Sequence, residues 1–339
     1  MACRMLLFDY REAENNFFEQ NKFCNFDIKF FSESLNDETL SMLSDEDFEK
    51  TMIISVFISS VIDEKVINKF KNLRVISTRS KGYDHIDINA CVAKNIALIN
   101  VDSYGKTSVA QFVFALMLML IRNIYPAVTA DISDLFRSNN FTGRNLNTLT
   151  LGVVGTGVIG SSICRLADCF GMKVLAYDLK PKDELQADYN VEYTDFAGLL
   201  INSDIVTVHL PYTQDNYHIF SDEQFNMMKN GSYFINVSRG NLVDTEALLK
   251  YAKAGKFNGV GLDVVACSDV NNITFENFAN DTLFCVENSK AVQELMRVPN
   301  VIITPHMAYN TQDAVNYILA STFESLSDYL QGGRKNRVL

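Results

Sequence analysis

A turn with three spaced glycines is the first place in this chain where residue types and spacing suggest chemistry. The turn reads Gly155-x-Gly157-x-x-Gly160, and it lies between the apolar run 149–154 and a helix-like segment, 161–171. Glycines in this order allow a tight turn, let the backbone approach a pyrophosphate, and let the helix pack on the strand. Free N–H groups at the start of the helix would favour the phosphate charge. We therefore predict that a dinucleotide binds along Gly155, Thr156, Gly157, Val158, Ile159 and Gly160.

An acid follows the next apolar run at the distance that a ribose contact requires. Asp178 lies 18 residues beyond Gly160 and directly after the run 172–177. At about this spacing, a carboxylate accepts hydrogen bonds from the 2′-hydroxyl of the ribose. Its charge would repel a 2′-phosphate, so we predict NAD as the cofactor even though Lys180 and Lys182 follow closely.

Two further side chains stand just beyond apolar runs in the second half of the chain. Arg239 follows the run 232–236, and His306 follows the run 301–303 with Pro305 before it. An arginine can bind a carboxylate and polarise a keto oxygen, and a histidine can donate a proton as hydride arrives. Open α/β sheets bind ligands at the carboxyl ends of their strands, so the pair predicts reduction of a 2-oxo acid.

The elements that must position these residues alternate between short apolar runs and helix-like stretches, which predicts parallel sheets covered by helices. We expect an α/β protein with two Rossmann-like domains. Five runs predict a flavodoxin-like first domain: 5–8, 28–31, 52–57, 75–77 and 97–100. Six runs predict a doubly wound, six-stranded second domain: 150–154, 173–177, 205–208, 232–236, 259–262 and 301–303. The expected division is 1–103 with 305–339 for the substrate domain and 104–304 for the NAD-binding domain.

Composition narrows the class of protein further. A length of 339 residues suits about two domains, and the net charge of −11 argues against a nucleic-acid partner. The most apolar stretch, 109–121, is too short to span a bilayer, and no signal peptide is visible. The seven cysteines are scattered without a CxxC pair, so neither disulfides nor a metal site are expected. We expect a cytoplasmic protein in which Cys267 is a buried or incidental thiol.

Seven segments in the same order resemble the D-2-hydroxyacid dehydrogenases, most closely the D-lactate dehydrogenase branch that includes the vancomycin-resistance enzymes. They are VISTRSKGYDHIDI, INVDSYGKTSVAQFVFALML, LGVVGTGVIG, DIVTVHLPYT, FINVSRGNLVDTEAL, GVGLDVV and PNVIITPHMAYNT. The resemblance implies a homodimer that reduces a small 2-oxo acid to the D-2-hydroxy acid with NADH in a cleft between the domains. Pyruvate and D-lactate are the default pair.

The resemblance also implies roles for individual residues. Arg239 matches the substrate-binding arginine, and His306 matches the catalytic acid/base. Asp263 matches an aspartate that contacts the nicotinamide carboxamide, and His209, Pro211 and Ser238 are expected to line the cofactor, although His209 could equally be a cap. Substrate contacts are implied for the backbone of Lys81 and Gly82 and for the side chains of Tyr104 and Tyr309.

One position departs from the family pattern. Ser268 stands where a glutamate that pairs with the histidine is expected, and Asp269 follows it. Without a carboxylate neighbour, the pKa of His306 would lie near its ordinary value of ~6.5. Asp269 could replace the glutamate as a catalytic residue, or Glu276 or Glu287 could. The enzyme could instead be slow with an unpaired histidine, or the chain could be a non-catalytic homologue that binds NAD or a metabolite.

A second departure is Lys81, because related sequences usually carry an apolar residue there. With Arg79 two positions earlier, Lys81 could add positive charge beside the substrate and favour an acidic oxo acid. An exposed lysine without a role is the alternative.

Overall fold

The structure of the chain is a computed structural model that describes residues 2–102, 104–130, 141–267 and 282–339. These residues form two compact units. Unit 1 takes its described residues from 2–104 and 310–339, and unit 2 takes its own from 105–309. The domain boundaries drawn from the sequence stay a prediction. None of the described helices combines the length and the apolar character needed to cross a membrane.

Unit 1 is built on a five-stranded sheet whose neighbouring strands all run parallel, as predicted. The order β2-β1-β3-β4-β5 is that of flavodoxin-like sheets. The strands are β1 Cys3–Leu7, β2 Phe26–Phe30, β3 Ile53–Val56, β4 Val75–Thr78 and β5 Ala97–Ile99. The first four helices are α1 Asn15–Gln20, α2 Asp45–Lys50, α3 Glu64–Lys69 and α4 Ile88–Ala93. Ser44, Asp63 and Asp87 cap α2, α3 and α4 through their side chains, which fixes where these helices begin.

Unit 2 contains a second parallel sheet, and it has seven strands where six were predicted. They are β6 Thr150–Val154, β7 Lys173–Tyr177, β8 Val191–Tyr193, β9 Ile205–Val208, β10 Ser232–Asn236, β11 Phe257–Leu262 and β12 Val301–Ile303. The missed strand is β8, which has only three residues at the sheet edge and too little apolar sequence to show a period. The order β12-β11-β10-β9-β6-β7-β8 is doubly wound, with its topological switch between β6 and β9.

Nine described helices belong to unit 2. They are α5 Lys106–Ile121, α6 Ile124–Thr129, α7 Val158–Cys169, α8 Asp183–Tyr189, α9 Phe196–Asn202, α10 Asp222–Met227, α11 Thr245–Lys253, α12 Thr282–Asn288 and α13 Lys290–Leu295. Short 3-10 helices lie at Glu12–Glu14, Thr39–Met42, Leu146–Thr148, Gln214–Asn216 and Gly240–Leu242. Helix α5 contains the apolar stretch 109–121 and lies close on β11. A Cβ added at Gly259 would come within 3.0 Å of the Leu120 side chain, so glycine in the strand permits this packing.

The last helix, α14 Gln312–Leu330, belongs to unit 1 and covers one face of its sheet. Phe323 and Leu326 from this helix share a buried cluster with Met5 from β1 and Ile53 from β3. The ring of Phe323 stacks on Phe23 with 3.9 Å between centroids. The first sheet is therefore completed by chain that follows the whole of unit 2.

The structure corrects the expectation that no cysteines pair, because Cys267 and Cys285 form a disulfide. Both residues are fully buried in the apolar core of unit 2. The sequence gives no sign of this pairing, since 18 positions separate the two cysteines and neither belongs to a CxxC pair. The bond ties the chain just after β11 to helix α12.

Reduction of this disulfide is expected to lower the free energy of unfolding of unit 2 by about 3 kcal/mol, because the bond closes a long loop in the unfolded chain. Urea unfolding with and without a thiol reductant measures the difference. The double variant Cys267→Ala/Cys285→Ala is the control and should not respond to the reductant. Equal stability of the wild type under both conditions would contradict the prediction.

Candidate active site

The predicted site residues of unit 2 follow the carboxyl ends of parallel strands in one sheet. Gly155 follows β6, Asp178 follows β7, His209 follows β9, Arg239 follows β10, Asp263 follows β11 and His306 follows β12. Because all neighbouring pairs are parallel, these ends meet at a single edge of the sheet. Arg239 and His306 follow strands two places apart, which is roughly 10 Å across a sheet. The sheet thus brings together the two residues on which the predicted chemistry depends.

The three glycines of the turn meet three different demands. Gly155 has a φ of +94°, and a Cβ there would lie 2.9 Å from the backbone of His209. A Cβ on Gly160 would collide with the carbonyl oxygen of Gly155, so this glycine lets α7 begin close to the strand. A Cβ on Gly157 would meet no atom within 4 Å. The chain itself therefore gives no packing reason for glycine at 157, which fits a backbone left open for a cofactor.

The start of α7 presents donors to that open space. The backbone N–H groups of Val158 and Ile159 have no acceptor among the described residues. Helix N-termini bind phosphate groups through such N–H groups and through the helix dipole. The turn therefore suits the pyrophosphate of a dinucleotide.

Asp178 is oriented by the turn that it faces. Its Oδ2 accepts hydrogen bonds from the Thr156 N–H at 2.6 Å and from the Thr156 hydroxyl at 3.0 Å. Its Oδ1 accepts from the backbone N–H of Lys180 at 2.9 Å. The carboxylate is thus held beside the glycine turn, where an acid suits the ribose of the cofactor.

Three further residues predicted to line the cofactor follow the neighbouring strands β9 and β10. They are His209 and Pro211 after β9 and Ser238 after β10. The His209 backbone N–H donates to the Val154 carbonyl at 2.8 Å, and its Nε2 lies 2.8 Å from the Thr207 hydroxyl. The Ser238 hydroxyl donates to the carbonyl of Leu210, the neighbour of Pro211. Burial lowers the pKa of His209 to about 3, so its imidazole is neutral at physiological pH. A neutral ring beside the turn can pack against a cofactor without adding charge.

The depressed pKa of His209 predicts a pH dependence of stability. Below the unfolded value of ~6.5, the unfolded chain binds a proton at His209 that the folded chain does not. The free energy of unfolding therefore keeps its full contribution from His209 above pH 6.5. It loses this contribution as the pH falls towards about 3, the pKa of His209 in the folded chain. Between pH 7 and pH 4.5 we expect the wild type to lose about 2 kcal/mol more than His209→Asn. Chemical denaturation at several pH values measures both proteins, and parallel curves would contradict the assignment.

Arg239 is presented by a rigid turn after β10. The fully buried side chain of Asn236 donates to the Arg239 carbonyl at 2.9 Å and accepts from the Ser238 N–H at 3.0 Å. A Cβ on Gly240 would collide with the backbone of Val265, so the turn packs directly against the chain after β11. The turn therefore fixes the backbone of Arg239 while its guanidinium, partly exposed, donates to the Ser238 carbonyl at 2.9 Å.

His306 has a left-handed backbone, and Asp263 holds the segment around it. The φ of His306 is +52°, a region that side chains rarely adopt. Asp263 is fully buried and accepts three hydrogen bonds from that segment: from the Thr304 hydroxyl at 2.6 Å, the Met307 N–H at 2.8 Å and the Ala308 N–H at 2.8 Å. Burial raises the pKa of Asp263, while these hydrogen bonds oppose the rise. The predicted contact of Asp263 with the nicotinamide carboxamide stays a prediction.

Lys81, Gly82 and Tyr104 belong to unit 1, and Tyr309, which is buried, ends unit 2. The backbone N–H groups of Lys81 and Gly82 have no acceptor among the described residues, which suits the predicted binding of a carboxylate. The Lys81 ammonium pairs with Asp102 at 2.9 Å. The roles predicted for these residues stay predictions.

The structure does not support extra positive charge from Arg79. This residue is fully buried in unit 1 and donates to the carbonyls of Phe8 at 2.8 Å and Asp9 at 3.0 Å. Its Nε lies 3.6 Å from the buried Glu14 carboxylate. Arg79 therefore joins the ends of β1 and β4, and its burial gives no support for a contribution of its charge beside Lys81, whose own role stays a prediction.

The candidates for a carboxylate beside His306 divide into two groups. Ser268, Asp269 and Glu276 lie outside the described residues. Glu287 is exposed on α12, and its carboxylate makes no ion pair among the described residues. The structure therefore does not support Glu287 as the partner of His306.

Sequence reasoning missed Asn236 and Tyr193. The Tyr193 hydroxyl donates to the Thr156 hydroxyl at 2.8 Å and accepts from the Lys182 N–H at 3.1 Å. Asn236 could have been found, because a polar residue ends the apolar run that precedes Arg239. Tyr193 lies on the strand that the sequence did not predict, so nothing in the sequence marked it.

Comparison with known proteins agrees with this geometry. Residues 114–308 match the family model described as "D-isomer specific 2-hydroxyacid dehydrogenase, NAD binding domain". A D-specific alpha-keto acid dehydrogenase of Enterococcus faecium is 38% identical over 81% of this chain and 82% of its own length. A D-2-hydroxyacid dehydrogenase (NAD+) of Lacticaseibacillus paracasei is 31% identical over 97% of this chain and 96% of its own.

A solved structure shows the same fold over nearly the whole chain. It is a D-lactate dehydrogenase from Aquifex aeolicus complexed with NAD and lactic acid, with a TM-score of 0.82 and 30% identity. The match covers 98% of this chain and 97% of that one. With its doubly wound sheet and open glycine turn, the chain belongs to the D-isomer specific 2-hydroxyacid dehydrogenases, which are NAD-dependent oxidoreductases, and NAD is its cofactor.

Proposed function

We propose that this protein reduces a small 2-oxo acid to the corresponding D-2-hydroxy acid with NADH, with pyruvate and D-lactate as the default pair. The observation that carries the proposal is the edge formed by β10, β11 and β12. Arg239 and His306 follow the outer two of these strands, and Asp263 follows the strand between them. Besides its cofactor, such a reduction needs a guanidinium and an imidazole, and both residues that carry them follow the carboxyl ends of strands at one edge of the sheet.

Each residue has one task in this proposal. Arg239 binds the carboxylate of the oxo acid and polarises its keto oxygen. His306 donates a proton to that oxygen, and the backbone N–H groups of Lys81 and Gly82 bind the carboxylate. NADH, when bound, supplies the hydride, so that oxo acid, NADH and one proton give hydroxy acid and NAD⁺. Gly155 to Gly160, Asp178, His209, Pro211 and Ser238 would hold the cofactor.

Initial rates of NADH oxidation test the proposal directly. Pyruvate and 2-oxo acids with progressively larger side chains are compared at saturating NADH, and the configuration of the product is determined. We expect turnover with at least one acid and a product of D configuration. Saturable NADH binding without turnover on any acid, or an L product, would overturn the proposal.

Asp263 is proposed as the residue that positions His306, and Asp263→Asn tests it. The amide replaces one acceptor oxygen with a donor, which then opposes a backbone N–H of Met307 or Ala308. We expect kcat to fall roughly 10–100-fold, because small misplacements of a catalytic group have effects of this size. A rise in the Kd for NADH in the same variant would report the predicted contact of Asp263 with the nicotinamide carboxamide.

Thr304→Val is the matched variant for the same clamp. It removes one of the three donors to Asp263 and leaves the two backbone N–H groups, so its effect on kcat should be smaller. An Asp263→Asn protein that keeps wild-type kcat would remove Asp263 from the positioning role.

We propose a homodimer on the resemblance to the D-2-hydroxyacid dehydrogenases, together with a cytoplasmic location. Light scattering after size-exclusion chromatography tests the first of these. A monomer at assay concentration would contradict it.

A further inference from the structure

Lys182 holds a positive charge against the glycine turn. It stands where the chain leaves β7 and Asp178 and enters α8. Its Nζ donates to the hydroxyl of the buried Ser161 at 2.8 Å and approaches the Gly157 carbonyl at 3.5 Å. Both partners belong to the turn and to the first residues of α7. The ammonium therefore lies at the N-terminus of that helix.

This is the end of a helix at which a cation is unfavourable. Helix dipoles carry partial positive charge at their N-termini, where anions are stabilised and cations are not. Among the described residues, no carboxylate forms an ion pair with Lys182. No described ion pair therefore offsets the charge of the ammonium, because the acid at this turn, Asp178, accepts its hydrogen bonds from Thr156 and the Lys180 N–H.

The lysine is held in this position by a chain of hydrogen bonds. The Tyr193 hydroxyl accepts from the backbone N–H of Lys182 at 3.1 Å and donates to the Thr156 hydroxyl at 2.8 Å. Thr156 in turn donates to Asp178 at 2.6 Å and 3.0 Å. One network therefore fixes the lysine, the glycine turn and the ribose acid relative to one another.

We propose that Lys182 is a cofactor-binding residue whose ammonium pairs with the pyrophosphate of NAD at the N-terminus of α7. The inference rests on the proposed binding of the cofactor along the glycine turn. A pyrophosphate there supplies the negative charge that both the ammonium and the helix end require. Tyr193 serves as a positioning residue for Lys182.

Equilibrium binding of NADH, measured by calorimetry without any oxo acid, tests the inference. We expect Lys182→Ala to raise the Kd for NADH roughly five- to ten-fold at low salt, because a charge-assisted contact is lost. The difference from the wild type should narrow as salt is added, since the contact is partly exposed and is screened. Lys182→Arg should keep most of the affinity.

Lys180→Ala is the matched control. It removes the same charge two positions away. The Lys180 side chain is exposed and forms no hydrogen bond or ion pair with the described residues, since only its backbone N–H bonds to Asp178. Its Kd for NADH should change less than two-fold. If both alanine variants weaken binding equally at every salt concentration, the effect is one of net charge and the inference is wrong.

Gly157→Ala separates failure of this inference from failure of the proposed cofactor position. A Cβ at 157 meets no atom of the protein within 4 Å, so the variant should fold with an unchanged melting temperature. It should nevertheless bind NADH more weakly if the pyrophosphate approaches there. Loss of binding in Gly157→Ala but not in Lys182→Ala overturns only the role of Lys182. Wild-type binding in both overturns the cofactor position as well.

Discussion

Replacement of His306 by glutamine is expected to lower kcat for reduction of the oxo acid by roughly 10²–10⁴-fold. Glutamine is similar in size and can donate a hydrogen bond, but it cannot transfer a proton to the keto oxygen at neutral pH. The hydrogen bonds of Asp263 to Thr304, Met307 and Ala308 do not involve the histidine side chain, so the segment should keep its shape. The Kd for NADH should therefore stay near that of the wild type.

His218→Gln is the control for this experiment, because His218 is a histidine of unit 2 with the same φ of +52°. It lies in a turn between β9 and β10, where its ring stacks on Tyr217 and its backbone N–H donates to the Asn241 carbonyl at 2.9 Å. Its replacement should leave kcat within two-fold of the wild type. Equal losses in the two variants would mean that strain at a left-handed position, and not proton transfer, explains the effect at His306.

Replacement of Arg239 by glutamine is expected to lower kcat/KM for the oxo acid by roughly 100-fold or more, with most of the loss in KM. Glutamine cannot supply the charged, two-pronged contact that an arginine makes with a carboxylate. Arg239→Lys keeps the charge but loses the planar fork, so it should recover only part of the activity. Asn236 fixes the turn through the Arg239 carbonyl and the Ser238 N–H, which the substitution leaves intact.

Steady-state kinetics over a range of oxo acid concentrations separate these effects. The exposed Arg297 provides a control, because Arg297→Gln removes the same charge after α13. An Arg239→Gln protein with wild-type KM would show that another group binds the carboxylate of the oxo acid. The proposed contact between this carboxylate and Arg239 would then be wrong.

The parts of this molecule that the sequence predicts are those whose chemistry is local. Gly155, Gly157 and Gly160 lie within six residues of one another, so their spacing alone predicts the turn, and the φ of +94° at Gly155 and the close contact of Gly160 with Gly155 belong to that turn. The apolar runs of both sheets are likewise visible because strands that are buried on both faces have continuous hydrophobic sequence. Strand β8 could not be predicted in this way, since three residues are too few to show a hydrophobic pattern.

The parts that could not be predicted depend on contacts between distant residues. Asp263 receives its hydrogen bonds from residues 41 to 45 positions later, and Thr156 meets Tyr193 across 37 positions. The partners become visible only when β11 and β12, or β6 to β8, lie side by side. The Cys267–Cys285 pair depends in the same way on how α12 packs behind β11.

The return of α14 to the first sheet has a consequence for synthesis. The strands β1 to β5 leave the ribosome first, but the helix that covers the face containing Met5, Ile53 and Val75 begins only at Gln312. Unit 2 can fold during this interval, since its described strands and helices are made without interruption. The nascent first sheet has to keep an apolar face uncovered in the meantime, and uncovered faces of this kind promote aggregation. Translation of this chain thus passes through a stage that calls for chaperone protection. This stage ends when Phe323 and Leu326 pack against Met5, Ile53 and Val75.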